Sequence, residues 1–320
     1  MTAVDCPACP DERAAGAAFC EACGNKLDGT APASPEVTCP HCGTPDAVGA
    51  DGYCVNCGML AGRPRDHLET DLGLTGAAVT DRGRRHHRNE DAVFVAARGA
   101  DVDAVVCDGV SASYDPDVAS AVAAETAGSR LADAGPDGVA DAIAAAAGAV
   151  ATLASTGDPR RAQSNPACTI VAAGVRGAEI GYGWVGDSRA YWVPGDGPAA
   201  QLTVDDSWAT HAIALGADPQ AALAGPRGHA ITAWLGADSP DTVPRVGVHR
   251  PTAPGHLVLC SDGLWNYLPD PSAFAATVRD HLRDAGGNPL AAARSLTAYA
   301  NAEGGADNIT VVLIPVSPPS

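Results

Sequence analysis

Four Cys-x-x-Cys pairs crowd the first 60 residues of this 320-residue chain: Cys6/Cys9, Cys20/Cys23, Cys39/Cys42 and Cys54/Cys57. A two-residue gap sets two sulfurs on one tight turn, as a tetrahedral zinc site requires. Ten residues separate the first two pairs and eleven the last two, so the segment is an internal repeat. Consecutive pairs give two sets of four thiolates, and the spacing also allows a crossed pairing. Gly24, Gly43 and Gly58 follow second cysteines directly, where a residue free to take positive φ is useful. The start, MTAVDCPACPDERAAG, has neither a basic n-region nor an apolar h-region. Metal-bound thiolates in a reducing compartment are therefore expected rather than disulfides. A redox Cys-x-x-Cys is normally single and set in a βα unit, which four pairs do not match. Cys107, Cys168 and Cys260 stand alone in apolar runs and read as small core residues.

The organisation changes past the cysteines. A tandem zinc ribbon is expected over 1–60, a Gly/Pro-containing linker over 61–73 and a main domain over 74–318. Apolar runs of strand length include Ala104–Cys107, Thr169–Ala173, Ile180–Val185, Arg189–Val193, Leu257–Cys260 and Ile309–Ile314. Helical stretches are Asp117–Ala132, Val139–Ala154, Ser272–Arg283 and Pro289–Asn301, with Asp117 and Ser272 as candidate N-caps. Between Thr169 and Val193 only short Gly-containing turns join the strands. The pairing there is antiparallel, and the class is α+β rather than a doubly wound parallel sheet.

Charge narrows the partners. The formal net charge is −18 and the pI about 4.6, which argues against nucleic acid or an anionic membrane surface. Residues 1–62 carry Asp5, Asp11, Glu12, Glu21, Asp28, Glu36, Asp46 and Asp51 against Arg13 and Lys26, so the ribbons suit protein docking better than phosphate backbones. The most apolar run, Val139–Ala154, is mostly Ala, is broken by Asp141 and is too short to span a bilayer. A cytoplasmic protein is expected.

One feature recurs in the main domain: a carboxylate at the end of an apolar strand, beside Gly or Ser. Asp108-Gly109, Asp187-Ser188, Ser261-Asp262-Gly263 and Asp307-Asn308 follow this rule, and Glu90-Asp91 joins them. A single Asp-Gly is ordinarily a turn. Five or six carboxylates converging at one end of a sheet could hold two hard divalent cations, Mg²⁺ or Mn²⁺, about 3.5–4 Å apart with a water between them. Such a pair suits in-line hydrolysis of a phosphate ester.

From about Gly76 to Val316 the chain resembles the metal-dependent protein phosphatases of type 2C. The resemblance rests on Arg88-Asn-Glu-Asp91, Cys107-Asp-Gly-Val110, Cys168-Thr-Ile-Val171, Val185-Gly-Asp-Ser-Arg189, Leu202-Thr-Val-Asp-Asp-Ser207, Cys260-Ser-Asp-Gly-Leu-Trp265 and Gly305-Ala-Asp-Asn-Ile-Thr310, in the family's order. It implies two packed antiparallel sheets flanked by helices and a serine/threonine phosphatase working through a bridging metal-bound hydroxide. It implies Asp108 bridging two metals, Asp262 and Asp307 completing one, and the Gly109 carbonyl ligating the other with Glu90 and Asp91 near it. Asp187 matches the residue that helps hold a third, looser metal in many bacterial members. Four positions depart from the pattern. Val110-Ser-Ala-Ser113 lacks the histidine that is a candidate general acid in many members, and His86 stands where an Arg often grips the phosphate. The family's Asp-His-Ser is Asp205-Asp206-Ser207, and Asn266 stands where a second carboxylate for the third metal can occur. Substrate contact is therefore assigned to the group Arg85, His86 and Arg88.

The implied partner is a phosphorylated protein, the product of a serine/threonine kinase. Two other functions share the fold: a non-catalytic adaptor that binds phosphoproteins, and a phosphatase for small molecules. The complete Asp108, Asp262, Asp307 set favours an enzyme.

Overall fold

The computed structural model describes residues 38–39, 42–49, 53–59, 61–225, 227–228, 230–239 and 243–318. The chain forms two compact units, Met1–Arg63 and Pro64–Ser320. Within the first, the expected ligands Cys6, Cys9, Cys20 and Cys23 lie outside the described residues. The second pair of Cys-x-x-Cys turns is described, and its two halves repeat one hydrogen-bond pattern. Gly43 N donates to Cys39 O and Gly58 N to Cys54 O, both at 2.8 Å. Gly43 and Gly58 take φ of 70° and 69°, the left-handed conformation expected of a residue closing such a turn.

Among its described residues the larger unit has eleven strands in two antiparallel sheets. One has the order β1 (His67–Asp71), β2 (Ala77–Asp81), β11 (Ile309–Val316), β10 (Gly255–Cys260), β7 (Arg189–Pro194), β8 (Ala200–Gln201). The other runs β3 (Ala92–Arg98), β4 (Asp101–Cys107), β5 (Ile170–Arg176), β6 (Glu179–Val185), β9 (Arg245–His249). Side chains alternate between the two faces of each sheet, because the strand period is two. Ala104, Val106, Val171, Ala173, Val312 and Ile314 therefore meet between the sheets. Their neighbours Val105 and Cys107 turn outward onto helices α1 (Pro116–Ala134) and α2 (Val139–Leu153). Val311 and Leu313 turn outward on the other side, where α6 (Pro271–Asp284) and α7 (Pro289–Ala302) pack. The result is a helix–sheet–sheet–helix sandwich, as expected for the class.

The helix layers differ in how they close on their sheets. Buried Ala119, Ala123, Ala127, Ala142 and Ala146 dominate α1 and α2, so those helices sit close together with small side chains. On α6, Phe274, Val278 and Leu282 recur at helical spacing, and Phe274 stacks on Tyr191 of β7 with 4.0 Å between ring centroids. Full burial of a side chain such as Phe274 or Leu296 contributes roughly 1.5–3 kcal/mol. Three short helices complete the unit: α3 (Trp208–Ala214), α4 (Pro219–Ala224) and α5 (Asp262–Trp265). Among the described residues no helix is long and apolar enough to cross a membrane.

Two expectations need correction. The stretch 61–73 is not simply a linker, since it contains a 3-10 turn at Pro64–Asp66 and edge strand β1, paired with β2 from His67↔Asp81 to Asp71↔Ala77. HLETD has no apolar alternation because its side chains are mostly exposed, so only backbone pairing marks it as a strand. Nor are Asp117 and Ser272 the caps. The α6 cap is Asp270, whose side chain accepts from Ala273 N, with Pro271 at the first helical position, while α1 is preceded by Asp115.

Candidate active site

Register explains why the strand-end carboxylates converge. Ala92 pairs with Cys107, Ile170 with Val185, and Cys260 with both Val311 and Arg189. The end of β4, the start of β3, the end of β6, the start of β7, the end of β10 and the start of β11 therefore lie at one end of the sandwich. Asp108, Asp91, Asp187, Asp262 and Asp307 each sit within two residues of those termini. The acids also influence one another. Asp108 is pushed well above the ordinary carboxylate range, first by burial and then by Asp91, Asp262, Asp307 and Asp187. Burial raises Asp262 to about 7, with Asp307 adding to the shift, although hydrogen bonding with Asn266 and Asp108 opposes it. Asp187 is likewise raised, by burial and then by Asp262 and Asp205.

Asp91 is the most enclosed of the set. Its Oδ2 accepts from Ser261 Oγ at 2.8 Å and Thr310 Oγ1 at 2.6 Å, which ties β3 to the opposite sheet. Burial lifts it to about 7 even against those two bonds. Asp91 Oδ1 and Asp262 Oδ1 are buried and have no hydrogen-bond partner. An unpartnered buried carboxylate oxygen is costly unless a cation meets it. Two such oxygens among mutually repelling acids fit hard divalent cations. Among the described residues, only the four cysteines bring three or more donor atoms within 4.8 Å of one another, so no three of these carboxylates do.

The remaining expected residues divide into groups. Gly109 has no room for a side chain, since a Cβ there would lie 2.7 Å from the carbonyl oxygens of Glu90 and Pro116. Glu90 is taken up by Ser111, whose Oγ donates to Oε2 at 2.6 Å, and by Arg88, 3.5 Å from Oε1. Arg88 also grips Asp117 at 3.1 Å, so its fork is already occupied by two acids. His86 Nε2 lies 3.1 Å from Asp307 Oδ1, on an expected ligand rather than apart from the cluster. Arg85 is exposed and pairs with no described residue. Asn266, on the turn after Asp262, donates its amide to Asp262 Oδ2 at 3.0 Å.

Several polar residues around these acids were not singled out from the sequence. Asn308 is the principal one. Its Oδ1 accepts from Glu90 N at 2.7 Å, and its Nδ2 donates to the carbonyls of Arg82 and Arg88 at 2.8 and 3.0 Å. One side chain thus fixes the whole Arg82–Glu90 loop against β11. Its neighbour Asp307 gave the only available signal, a polar pair at a strand start. Arg189 forms a bidentate pair with Asp205 at 2.8 and 2.7 Å and lies 3.5 Å over the Trp265 ring. Trp265 in turn donates its indole N–H to Asp187 O at 3.0 Å. This buried arrangement holds the Asp187 turn and α5, which carries Asp262.

In the small unit, Cys39 and Cys57 sulfurs are 3.8 Å apart and those of Cys42 and Cys54 are 3.6 Å apart. Four thiolates at about 2.3 Å from one zinc ion are spaced about 3.8 Å from each other. The set fits a closed tetrahedral site with no position open for chemistry.

A two-sheet sandwich with this carboxylate cluster at one end defines a class, the metal-dependent hydrolases of the serine/threonine phosphatase type. The family model described as protein phosphatase 2C matches residues 80–298, more than half of the chain, and the chain belongs to that family. A double zinc ribbon model matches residues 6–58. Among solved structures, the chain is similar to the PPM Ser-Thr phosphatase MsPP from Mycobacterium smegmatis in complex with cacodylate, at 29% identity and a TM-score of 0.61 over 77% of this chain and 99% of that one. It is similar to the S. agalactiae serine/threonine phosphatase at 25% identity, with a TM-score of 0.62 over 78% of this chain and 100% of that one. The catalytic domain of the phosphatase PstP, in complex with 2 manganese ions, is 25% identical with a TM-score of 0.60 over 76% and 98% of the two chains. No curated protein matches the chain.

Proposed function

We propose that this protein removes phosphate from phosphoserine and phosphothreonine in protein substrates, using two divalent cations held by its strand-end carboxylates. The observation that carries this reading is the pair of buried, unpartnered carboxylate oxygens within a group of acids that raise one another's proton affinity. Asp108, Asp262, Asp307 and Asp91, with the Gly109 carbonyl, would hold two ions of Mn²⁺ or Mg²⁺, and the manganese-bound relative supports that choice. The chemistry such ions supply is acidification of a water to a nucleophile at neutral pH and neutralisation of charge on phosphoryl oxygens. Asp187 with Asp262 would form a weaker third site, where Asn266 offers an amide in place of a carboxylate.

The chain's own groups do the rest. Arg85, with no acid paired to it, supplies a free fork for the phosphate, which Arg88 does not. His86 keeps Asp307 positioned, and Glu90 is held by Ser111 and Arg88. No histidine follows Asp108-Gly109, so the leaving oxygen takes its proton from water. Two structural zinc ions belong to the ribbons, which serve protein docking.

Phosphate release from a phosphoserine peptide, compared with a panel of sugar and nucleotide monophosphates under manganese, tests the substrate class. A kcat/KM at least tenfold higher for the peptide is expected. A preference for a metabolite would move the protein to the small-molecule class, and no turnover at all would leave only an adaptor.

A further inference from the structure

The loop after Asp108-Gly109 forms one wall of a pocket of about 200 Å³ that none of the roles above uses. Its apolar side is made of Val110 and Ala112 from that loop, Ala167 from the approach to β5, and Ile231 and Trp234 from the segment between α4 and β9. Ser113, Ser164 and Asn165 line the remainder. Asp238 stands at the rim and accepts the Trp234 indole N–H at 3.1 Å. With its single donor satisfied, the rest of that side chain offers only apolar surface.

The walls are anchored rather than loose. Val110 N donates to Ala167 O at 2.9 Å, and Cys168 and Leu235 exchange backbone hydrogen bonds at 3.1 and 2.8 Å. Ser239 Oγ donates to the Trp234 carbonyl at 2.6 Å. A preformed apolar wall gains from burial without first having to be ordered.

Two lining residues of the pocket stand close to Asp108 along the chain and across the β4–β5 pairing. Val110 lies two residues past Asp108, and Thr169, two residues past Ala167, donates its amide to Asp108 O at 2.8 Å. Two residues of extended chain span at most about 7 Å, which is also the reach from a phosphorylated residue to its near neighbours in a bound peptide. Pockets for free small molecules usually enclose about 300–1,000 Å³. A space of about 200 Å³ suits one side chain of a longer ligand instead.

We propose that this pocket receives a single apolar side chain, of leucine size, one or two residues from the phosphorylated residue of the substrate. It makes the protein selective for phosphopeptides with an aliphatic neighbour. The inference rests on the protein phosphatase reading and adds a sequence preference to it.

Two phosphoserine peptides that differ only in carrying Leu or Gly at the positions flanking the phosphoserine provide the test, with kcat/KM measured on the full chain under manganese. Burying one such side chain favours the Leu peptide by about tenfold or more. Trp234→Ala removes a wall, and Ala112→Trp fills the space from an exposed position that tolerates a larger side chain. Each should bring the Leu/Gly ratio to within about twofold of unity. A wild-type ratio near one, or a ratio kept in both variants, would overturn the pocket's role. Failure to hydrolyse either peptide would instead overturn the phosphatase reading on which it rests.

Discussion

Raising the pH of the metal-free protein should destabilise it through Asp91. In the folded state burial holds this carboxyl at about 7, against 3.8 for an ordinary aspartate. The folded protein therefore binds the proton more tightly than the unfolded chain does. That contribution to stability is fully present below about pH 4 and is lost as the pH rises through 7. Three pKa units correspond to about 4 kcal/mol. Asp262 is raised to the same value, but the acids are mutually coupled, so one group's worth is the appropriate scale. Between pH 5 and pH 8 about two of those three units are lost, about 2.7 kcal/mol, which for a domain of this size is a fall in Tm of about 8 °C. The assay is thermal unfolding followed by circular dichroism in chelator at both pH values. Manganese at pH 8 should restore the lost stability, because a cation binding only the folded state stabilises it. An acidic chain also repels itself more at high pH, so Asp91→Asn is the necessary comparison. The amide is isosteric and does not titrate, so the variant should lose markedly less than the wild type. Equal losses in the two proteins would refute the reasoning.

Arg85→Ala should raise KM for a phosphopeptide several-fold with a smaller change in kcat, because a phosphate fork binds ground and transition states alike; an unmoved KM sends the anchor elsewhere. A truncated chain beginning at Pro64 should hydrolyse a small aryl phosphate at close to the full rate, since that unit carries its own cores. An inactive but folded truncation, or fewer than two zinc ions per intact chain by elemental analysis, would contradict the separation of ribbons from catalysis.

The four long helices were legible to within about two residues because they carry sustained apolar periodicity. That these acids stand at strand termini was legible too, since an acid beside Gly or Ser after an apolar strand is a local pattern. Edge strands were not. Val246 and Val248 of β9 are exposed, and β1 is mainly polar, so nothing in their hydropathy marks them as part of a sheet. Asn308, Ser261, Thr310 and Ser111 were missed for a different reason. Each acts through hydrogen bonds to residues far along the chain, as Asn308 does across 218 residues to Glu90, and residue type alone does not show such a partner. The same applies to Arg88, whose two acid partners distinguish it from the unpaired Arg85 only once the chain is folded.

If the strand-end acids hold the cations that make this chain a phosphatase, turnover depends on Asp108. Measured on a phosphoserine peptide with saturating manganese, kcat of the Asp108→Ala variant should fall by on the order of 10³ or more, and the wild type should lose activity in chelator and regain it on adding manganese. Full turnover in Asp108→Ala, or wild-type turnover indifferent to chelator, would contradict it.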